Sequence, residues 1–136
     1  MAQLDECTLL KIRSIIARLD AYITRLEEKY KYIYENRVLI ETDCLKRQMY
    51  LNEMNEIRKI AKELMLIQAT LELMHGQQKI NAEVLVELER MIKSLMPEVA
   101  IELNELESFA EKADEDKKII EESIAIADER MKFWGC

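Results

Sequence analysis

Glycine and proline are scarce in this chain, and their scarcity limits what it can fold into. Two glycines and one proline occur in 136 residues. Tight turns between β-strands are built largely from glycine, asparagine and proline, so the sequence argues against a β-rich fold. About half of the residues are apolar and a third are charged, which is typical of long helices with one apolar face. We therefore predict an all-α fold in a single domain that spans residues 1–136.

The first predicted helix carries an unusually regular apolar pattern. Between Leu9 and Glu35, large apolar residues recur at alternating intervals of three and four. This heptad repeat indicates a narrow coiled-coil seam, whereas a helix in a compact bundle buries a wider face. The seam residues are Leu9, Ile12, Ile16, Leu19, Ile23, Leu26, Tyr30 and Ile33. The first six, together with Ile57, Leu64 and Leu71 later in the chain, are expected to build the hairpin core and serve assembly.

A second long helix is predicted after a short corner, with Thr42 or Asp43 as its cap. A heptad of apolar residues on this helix matches the seam of the first, so the two form an antiparallel hairpin over residues 9–75. An adjacent apolar stripe predicts a further neighbour, either a later part of the chain or another copy. The heptad includes Ile57, Leu64 and Leu71, and the adjacent stripe consists of Ile60, Ile67 and Met74.

Two residues that disfavour helix interiors divide the rest of the chain. Gly76 costs a helix about 1 kcal/mol relative to alanine, so we predict a hinge there, at which the neighbouring helices bend apart or fuse. Pro97 is tolerated at the first position of a helix. It therefore predicts the start of another helix and a second hinge. Residues 80–136 are expected to form two or three shorter acidic helices.

Charge is distributed unevenly between the two halves. Residues 1–80 hold 13 Lys and Arg against 12 Asp and Glu, whereas residues 81–136 hold 7 against 15. On the first helix Lys11, Arg18 and Arg25 follow at intervals of seven, away from the seam, and form a cationic stripe. The stripe fits weak binding to an anionic membrane surface, and it equally fits a solvated helix face. The acidic half either masks the stripe or only keeps the protein soluble.

Residues that carry enzymatic or metal chemistry are few. One histidine excludes most His-based catalytic and metal sites, and Glu72 with His75 supplies only half of the motif that a di-iron bundle needs. Three widely spaced cysteines favour reduced thiols, and a pI near 4.9 argues against nucleic-acid binding. The sequence shows neither a signal peptide nor an apolar run long enough to span a membrane. We predict a cytoplasmic, non-enzymatic protein without a cofactor.

Three segments of the predicted helices carry a resemblance to a known family. Tyr50–Lys59 and Ala69–Glu72 lie on the second helix, and Leu95–Val99 is followed by Glu102 and Leu103. These segments resemble the archaeal ESCRT-III family, that is, the cell-division protein CdvB and its paralogues, over about residues 9–112. The resemblance implies a hairpin core that polymerises with copies of itself or with paralogues into filaments that remodel membranes.

The resemblance also implies partners and shows two departures. The implied partners are an anionic membrane, on whose inner face the protein would act, a CdvA-like recruiter and an AAA ATPase that remodels the polymer. Family members usually carry a short basic segment before the first helix, which here follows Met1 almost at once. Their proline-rich ATPase-binding motif is excluded because Pro97 is the only proline. We therefore expect either a truncated core or a short paralogue.

Two other kinds of protein fit the same helical pattern. One is a coiled-coil adaptor or scaffold, whose apolar stripes serve a defined partner in a closed complex. The other is a helical-bundle metal protein. Large species that grow with concentration would indicate a filament subunit. A fixed oligomer would indicate an adaptor, and a bound metal ion would indicate a helical-bundle metal protein.

Overall fold

The computed structural model describes residues 5–36, 44–107 and 117–134, with the backbone alone for residues 117–120. Within these ranges the chain forms five α-helices and no β-strand, which confirms the predicted all-α class. The helices are α1 (Glu6–Glu35), α2 (Cys44–Gln77), α3 (Ala82–Ile92), α4 (Pro97–Leu106) and α5 (Lys117–Met131).

Helix α1 is a rod of 30 residues, about 45 Å long. Asp5 caps its start, since the carboxylate accepts a hydrogen bond of 2.7 Å from the Thr8 amide and satisfies one of the free N–H groups there. The helix ends at Glu35, as the sequence predicts. Beyond it, the Asn36 side chain donates a hydrogen bond of 2.7 Å to the Tyr32 carbonyl.

Helices α1 and α2 form an antiparallel hairpin. Near one end Lys29 pairs with Glu53 at 3.0 Å, and further along Gln68 reaches the backbone of Ile16. Residue numbers therefore fall on one helix as they rise on the other. The corner at residues 37–43, with the predicted Thr42 or Asp43 cap, lies outside the described residues.

The buried face of α1 is wider than the predicted seam. Five seam residues are buried, namely Ile12, Leu19, Ile23, Tyr30 and Ile33, whereas Leu9, Ile16 and Leu26 are only half-buried. Ile15, which the heptad does not include, is fully buried and lies beside α4. Helix α1 thus contacts α4 as well as α2. The contact with α4 buries Ile15, which lies next to the seam.

Burial along α2 changes from one end to the other. The heptad positions Ile57, Leu64 and Leu71 are all buried. Between residues 64 and 71 almost every side chain is buried, because α1 packs on one side of the helix and α5 on another. Helix α5 is thus a further neighbour of α2 from later in the chain, and its described contacts fall at Lys62, Gln68 and Thr70 and not at the adjacent stripe. By contrast, every residue from 44 to 52 is exposed.

The joint after α2 lies two residues beyond the predicted position. Gly76 is still helical, and α2 ends at Gln77. Gln78 then takes a left-handed conformation, with φ of 54°. The Gln78 amide bonds to the His75 carbonyl and the Lys79 amide to the Met74 carbonyl, which is the Schellman arrangement that ends many helices. That Gly76 acts as a hinge stays a prediction.

Helices α3 and α4 pack against each other as a short pair. Asn81 caps α3 by accepting a hydrogen bond of 3.2 Å from the Val84 amide. The chain turns at residues 93–96, and α4 starts at Pro97, where the missing amide hydrogen costs no helical bond. The apolar faces of the pair join the main core through Leu85, Leu88, Ile92, Val99 and Leu103. A hinge at Pro97 stays a prediction.

Candidate functional site

The cationic stripe predicted on α1 consists of three residues in different surroundings. Lys11 and Arg25 are exposed, whereas Arg18, between them, is half-buried. At 1.5 Å per residue the stripe extends over about 21 Å of the helix. Two of its three charges are thus open to solvent, and the structure covers the third.

Helix α4 covers Arg18. The guanidinium group forms a salt bridge with the carboxylate of Glu102, and its Nε donates a hydrogen bond of 3.4 Å to the Ser14 carbonyl. The two paired side chains are 38% and 41% exposed, so water still reaches the pair. A cleft of about 100 Å³ lies here between α1 and α4, with Lys11 and Glu105 in its walls. Carboxylates of the acidic half therefore face the first part of the stripe.

Helix α5 is held across the hairpin by a polar cluster that we call the clasp, formed by Asp20, Gln68 and Arg130. Gln68 is buried in the hairpin seam and donates to the Asp20 carboxylate at 3.1 Å. Arg130 donates to Gln68 Oε1 at 2.8 Å and to Asp20 at 3.2 Å. One guanidinium group thus joins α5 to both helices of the hairpin. Because Gln68 is buried, these bonds also satisfy its polar atoms.

Further contacts fix α5 along its length. Asp128 pairs with Lys62 at 3.4 Å. The hydroxyls of Thr70 and Ser123 lie 2.9 Å apart in the buried interface. At the end of α5 the ring of Trp134 packs on that of Tyr30, with 5.4 Å between the ring centroids and 47° between the planes. Helix α5 therefore runs from the joint toward the corner of the hairpin.

A carboxyl pair links α3 to the end of α4. The Asn104 amide donates to both oxygens of Glu89, at 3.3 and 3.4 Å. Burial, together with the neighbouring Glu89 carboxyl, raises the pKa of Glu107 above its ordinary value. One oxygen of Glu107 is buried and makes no regular hydrogen bond. The pair therefore favours a proton at Glu107.

Sequence reasoning missed the clasp and the role of Glu102. A signal for the clasp was present, because Gln68 interrupts the apolar heptad between Leu64 and Leu71, and a polar residue at such a position usually has a specific partner. Its partner Arg130 is 62 residues away in sequence, so the pattern could not name it. Glu102 gave no local signal, since α4 carries two further glutamates, Glu98 and Glu105, which are both exposed.

The features considered for metal or membrane-spanning roles have simple environments. Glu72 is exposed and His75 is half-buried near the end of α2. Within residues 5–36, 44–107 and 117–134 no group of three or more His, Cys, Asp or Glu side chains is arranged to hold a metal ion. None of the helices in those ranges has the length and apolarity needed to cross a membrane.

A hairpin of two long helices, over which short acidic helices fold back, matches the ESCRT-III-like helical core that the sequence predicts. A curated relative, cell division protein B1 of Sulfolobus acidocaldarius, is 31% identical to this chain over 157 aligned positions, which cover 90% of this chain and 72% of the relative. The chain therefore belongs to the archaeal ESCRT-III family of CdvB-like cell-division proteins. No protein-family model matches it, and no solved structure does either. The family is structural and not enzymatic, and membership implies assembly with copies of the chain or with paralogues.

Proposed function

We propose that this chain is a filament-forming subunit of an ESCRT-III-like division machinery, which remodels and severs membranes by polymerising on an anionic surface. It acts in the cytoplasm, at the inner face of the membrane. Copies of the chain or paralogues are its assembly partners. A CdvA-like recruiter and an AAA ATPase are further proposed partners, on the strength of the family alone.

The pairing of Arg18 with Glu102 is the observation that carries the membrane part of this proposal. A lipid phosphate and a glutamate carboxylate are both anions that a guanidinium group binds through charge-assisted hydrogen bonds. Glu102 therefore binds the guanidinium group of Arg18 in the place that an anionic headgroup would take. Exposed Lys11 and Arg25 remain for the first weak contact. Binding to the membrane then competes with the contact between α1 and α4.

This competition predicts opposite effects for two sets of substitutions. Glu102→Gln removes the competing charge and should raise binding to vesicles of phosphatidylglycerol and phosphatidylcholine by about fivefold, since one basic residue near an anionic surface contributes about 1 kcal/mol. The double variant Lys11→Glu with Arg25→Glu should lose this binding. Thermal stability should change little in both, because exposed charges contribute little to folding. Flotation at low salt measures the binding.

The matched control is Glu83→Gln on α3, which makes the same charge change at an exposed site and should leave binding unaltered. Electron microscopy of the same samples should show polymers on the vesicles. A wild-type protein that stays unbound on strongly anionic vesicles, and forms a fixed oligomer at every concentration, would contradict the proposal and favour an adaptor or scaffold. Loss of binding in 1 M salt is expected as well, because the Debye length falls to about 3 Å.

A further inference from the structure

The last two turns of α4 contact both α1 and α3. Glu102 binds Arg18 on α1, and Glu105 faces the same cleft. Between these two residues, Asn104 donates to both oxygens of Glu89 on α3, at 3.3 and 3.4 Å. The contacts with the two neighbouring helices thus come from four consecutive residues, 102–105. A change on the α3 side of this segment is therefore transmitted to the α1 side by one turn of helix.

Two carboxyl groups meet on the α3 side of this segment. Glu107 directly follows α4, and its carboxyl lies close enough to that of Glu89 to share a proton with it. One oxygen of Glu107 is buried and has no hydrogen-bond partner within the described part of the chain, whereas Asn104 is bonded to Glu89. Two adjacent carboxylates repel each other, but a carboxylic acid beside a carboxylate donates a hydrogen bond to it. The arrangement therefore favours one shared proton.

The charges that α3 brings near the pair do not neutralise it. Arg90, which is adjacent to Glu89 in sequence, pairs with Glu87, and Lys93 is exposed one turn later. Burial and then the Glu89 carboxyl raise the pKa of Glu107. The two causes act in the same direction, since both disfavour the ionised form.

The cations of α1 are directed to other residues of α4. Arg18 is bound by Glu102, and Lys11 lies in the wall of the cleft beside Glu105. Neither cation acts on the pKa of Glu107. The contact with α1 and the carboxyl pair are thus electrostatically separate, and the backbone of α4 connects them.

We propose that Glu89 and Glu107 form a pH-sensitive latch, which holds the end of α4 on α3 while the two carboxyls share a proton. As the pH rises and both carboxyls ionise, their repulsion separates the end of α4 from α3. Glu102 and Glu105 are then held less firmly against α1, and Arg18 becomes more accessible. The latch thus makes the cover on the cationic stripe weaker at higher pH. It rests on the proposed function only for its effect on membrane binding.

Titration in solution tests the latch without a membrane. In the wild type, NMR of the side-chain carboxyl carbons should show Glu107 titrating above the ordinary glutamate pKa of about 4.3. In Glu89→Gln the neighbouring charge is absent, so the pKa of Glu107 should fall toward that value. After correction for the intrinsic exchange rate, the amides at the end of α4 should lose protection from hydrogen exchange as the pH passes the wild-type pKa. Glu107→Gln should keep this protection throughout.

Vesicle flotation tests the effect of the latch on the stripe. We would compare the wild type with Glu107→Gln on vesicles of phosphatidylglycerol and phosphatidylcholine between pH 4 and pH 8. The two proteins should bind equally toward pH 4, where the wild-type pair is protonated. Toward pH 8 the wild type should bind about twofold more or better, because the contribution of the shared proton is lost as the pH rises through the folded pKa.

The ratio of the two proteins cancels every effect of pH that they share, including effects on the lipid and on the stripe. Glu56→Gln, an exposed change in the middle of α2, is the matched control and should bind like the wild type at each pH.

Two results would overturn the inference and leave the proposed function in place. The first is a Glu107 carboxyl that titrates in the ordinary range of glutamate. The second is equal binding of the wild type and Glu107→Gln at every pH although Glu102→Gln still increases binding, because the latch would then not control the cover. If no variant binds vesicles, the proposed function is contradicted together with the effect on the stripe. The titration and the hydrogen exchange then still decide whether the latch exists.

Discussion

At the scale of single residues, Glu107 shows how folding changes the chemistry of one carboxyl group. It follows the last turn of α4, where burial and the nearby Glu89 carboxyl raise its pKa. Among the charged groups of α3 and α4, Glu89 is the one that acts on it directly. Asn104 is already bonded to Glu89. When Glu107 is ionised, its charge therefore lies close to the like charge of Glu89. One oxygen of Glu107 is also buried without a hydrogen-bond partner.

This environment predicts a pH-dependent effect of Glu107→Gln. A carboxyl whose pKa is raised by folding stabilises the fold below its unfolded pKa of about 4.3, and this contribution is lost as the pH rises through the folded value. Glutamine stays neutral at every pH. The substitution should therefore raise the free energy of unfolding at pH 7, and the gain should disappear toward pH 4, as urea denaturation at both values would measure.

Glu56→Gln provides the control for this prediction. Glu56 is exposed in the middle of α2, away from the helix ends, so the same change there should have little effect at either pH. A Glu107→Gln protein that is less stable than the wild type at pH 7 would contradict the account. It would mean that the ionised carboxylate makes favourable bonds.

At the scale of helices, the end of α2 depends on a residue that is poorly suited to its backbone conformation. Gln78 takes the left-handed conformation, which costs a non-glycine residue about 1 kcal/mol. Gly76 takes an ordinary helical one, and a Cβ atom there would meet nothing within 4 Å. The glycine thus lies two residues before the position at which its freedom would help.

Exchanging residues at this helix end gives a directional prediction. Gln78→Gly should raise the free energy of unfolding by about 1 kcal/mol, because glycine adopts the left-handed conformation without strain. Gln77→Gly, one residue earlier and still helical, should lower it by about 1 kcal/mol. Chemical denaturation measures the free energy of unfolding of both variants, which differ only in the position of the new glycine. Equal effects would mean that the joint is not fixed at Gln78.

The helices themselves were predictable from sequence to different degrees. The end of α1 and the start of α4 followed from the pattern at Glu35 and from Pro97, because local chemistry determines both. The burial of Ile15 did not follow, since it depends on where α4 packs. The joint is predicted at Gly76 because glycine is unfavourable inside a helix, whereas the hydrogen bonds that end α2 are made by the Gln78 and Lys79 amides.

The candidate site could be predicted only in part for a similar reason. Lys11, Arg18 and Arg25 were found from their spacing of seven, which is a property of one helix. Arg18 is paired with a residue 84 positions away, and no periodic pattern links the two. The exposure of Leu45 and Met49 likewise depends on which part of α2 the later helices cover. The spacing of residues along one helix thus predicts which of them share a face. Tertiary packing decides which of these residues are exposed to solvent.

At the scale of the whole molecule, two separate elements cover the hairpin. Helix α4 brings Glu102 to the cationic stripe, whereas α5 lies along the hairpin and contacts Asp20, Lys62 and Gln68. If the acidic half masks the stripe, which is one of the two interpretations of the charge asymmetry, deletion of residues 113–136 should increase membrane binding. The described contacts show that α4 and α5 cover different parts of the hairpin. Removal of α5 should expose the side of the hairpin that α5 covers. Exposure of Arg18, by contrast, requires movement of α4.

Release of α5 can be followed through Trp134, the single tryptophan of the chain, which is 4% exposed and packs on Tyr30. Ala127 is buried against α2, and Ala127→Glu would place an unpaired charge there at a cost of several kcal/mol. Because α5 adds its contacts to an already formed hairpin, detachment costs less than burial of the charge. Trp134 emission should shift to longer wavelength while most of the helical circular dichroism remains. Ala125→Glu, on the exposed side of the same helix, should change neither signal. If Ala127→Glu instead melts the whole protein in one step, or leaves Trp134 shielded, α5 is an inseparable part of the core and cannot act as a releasable cover.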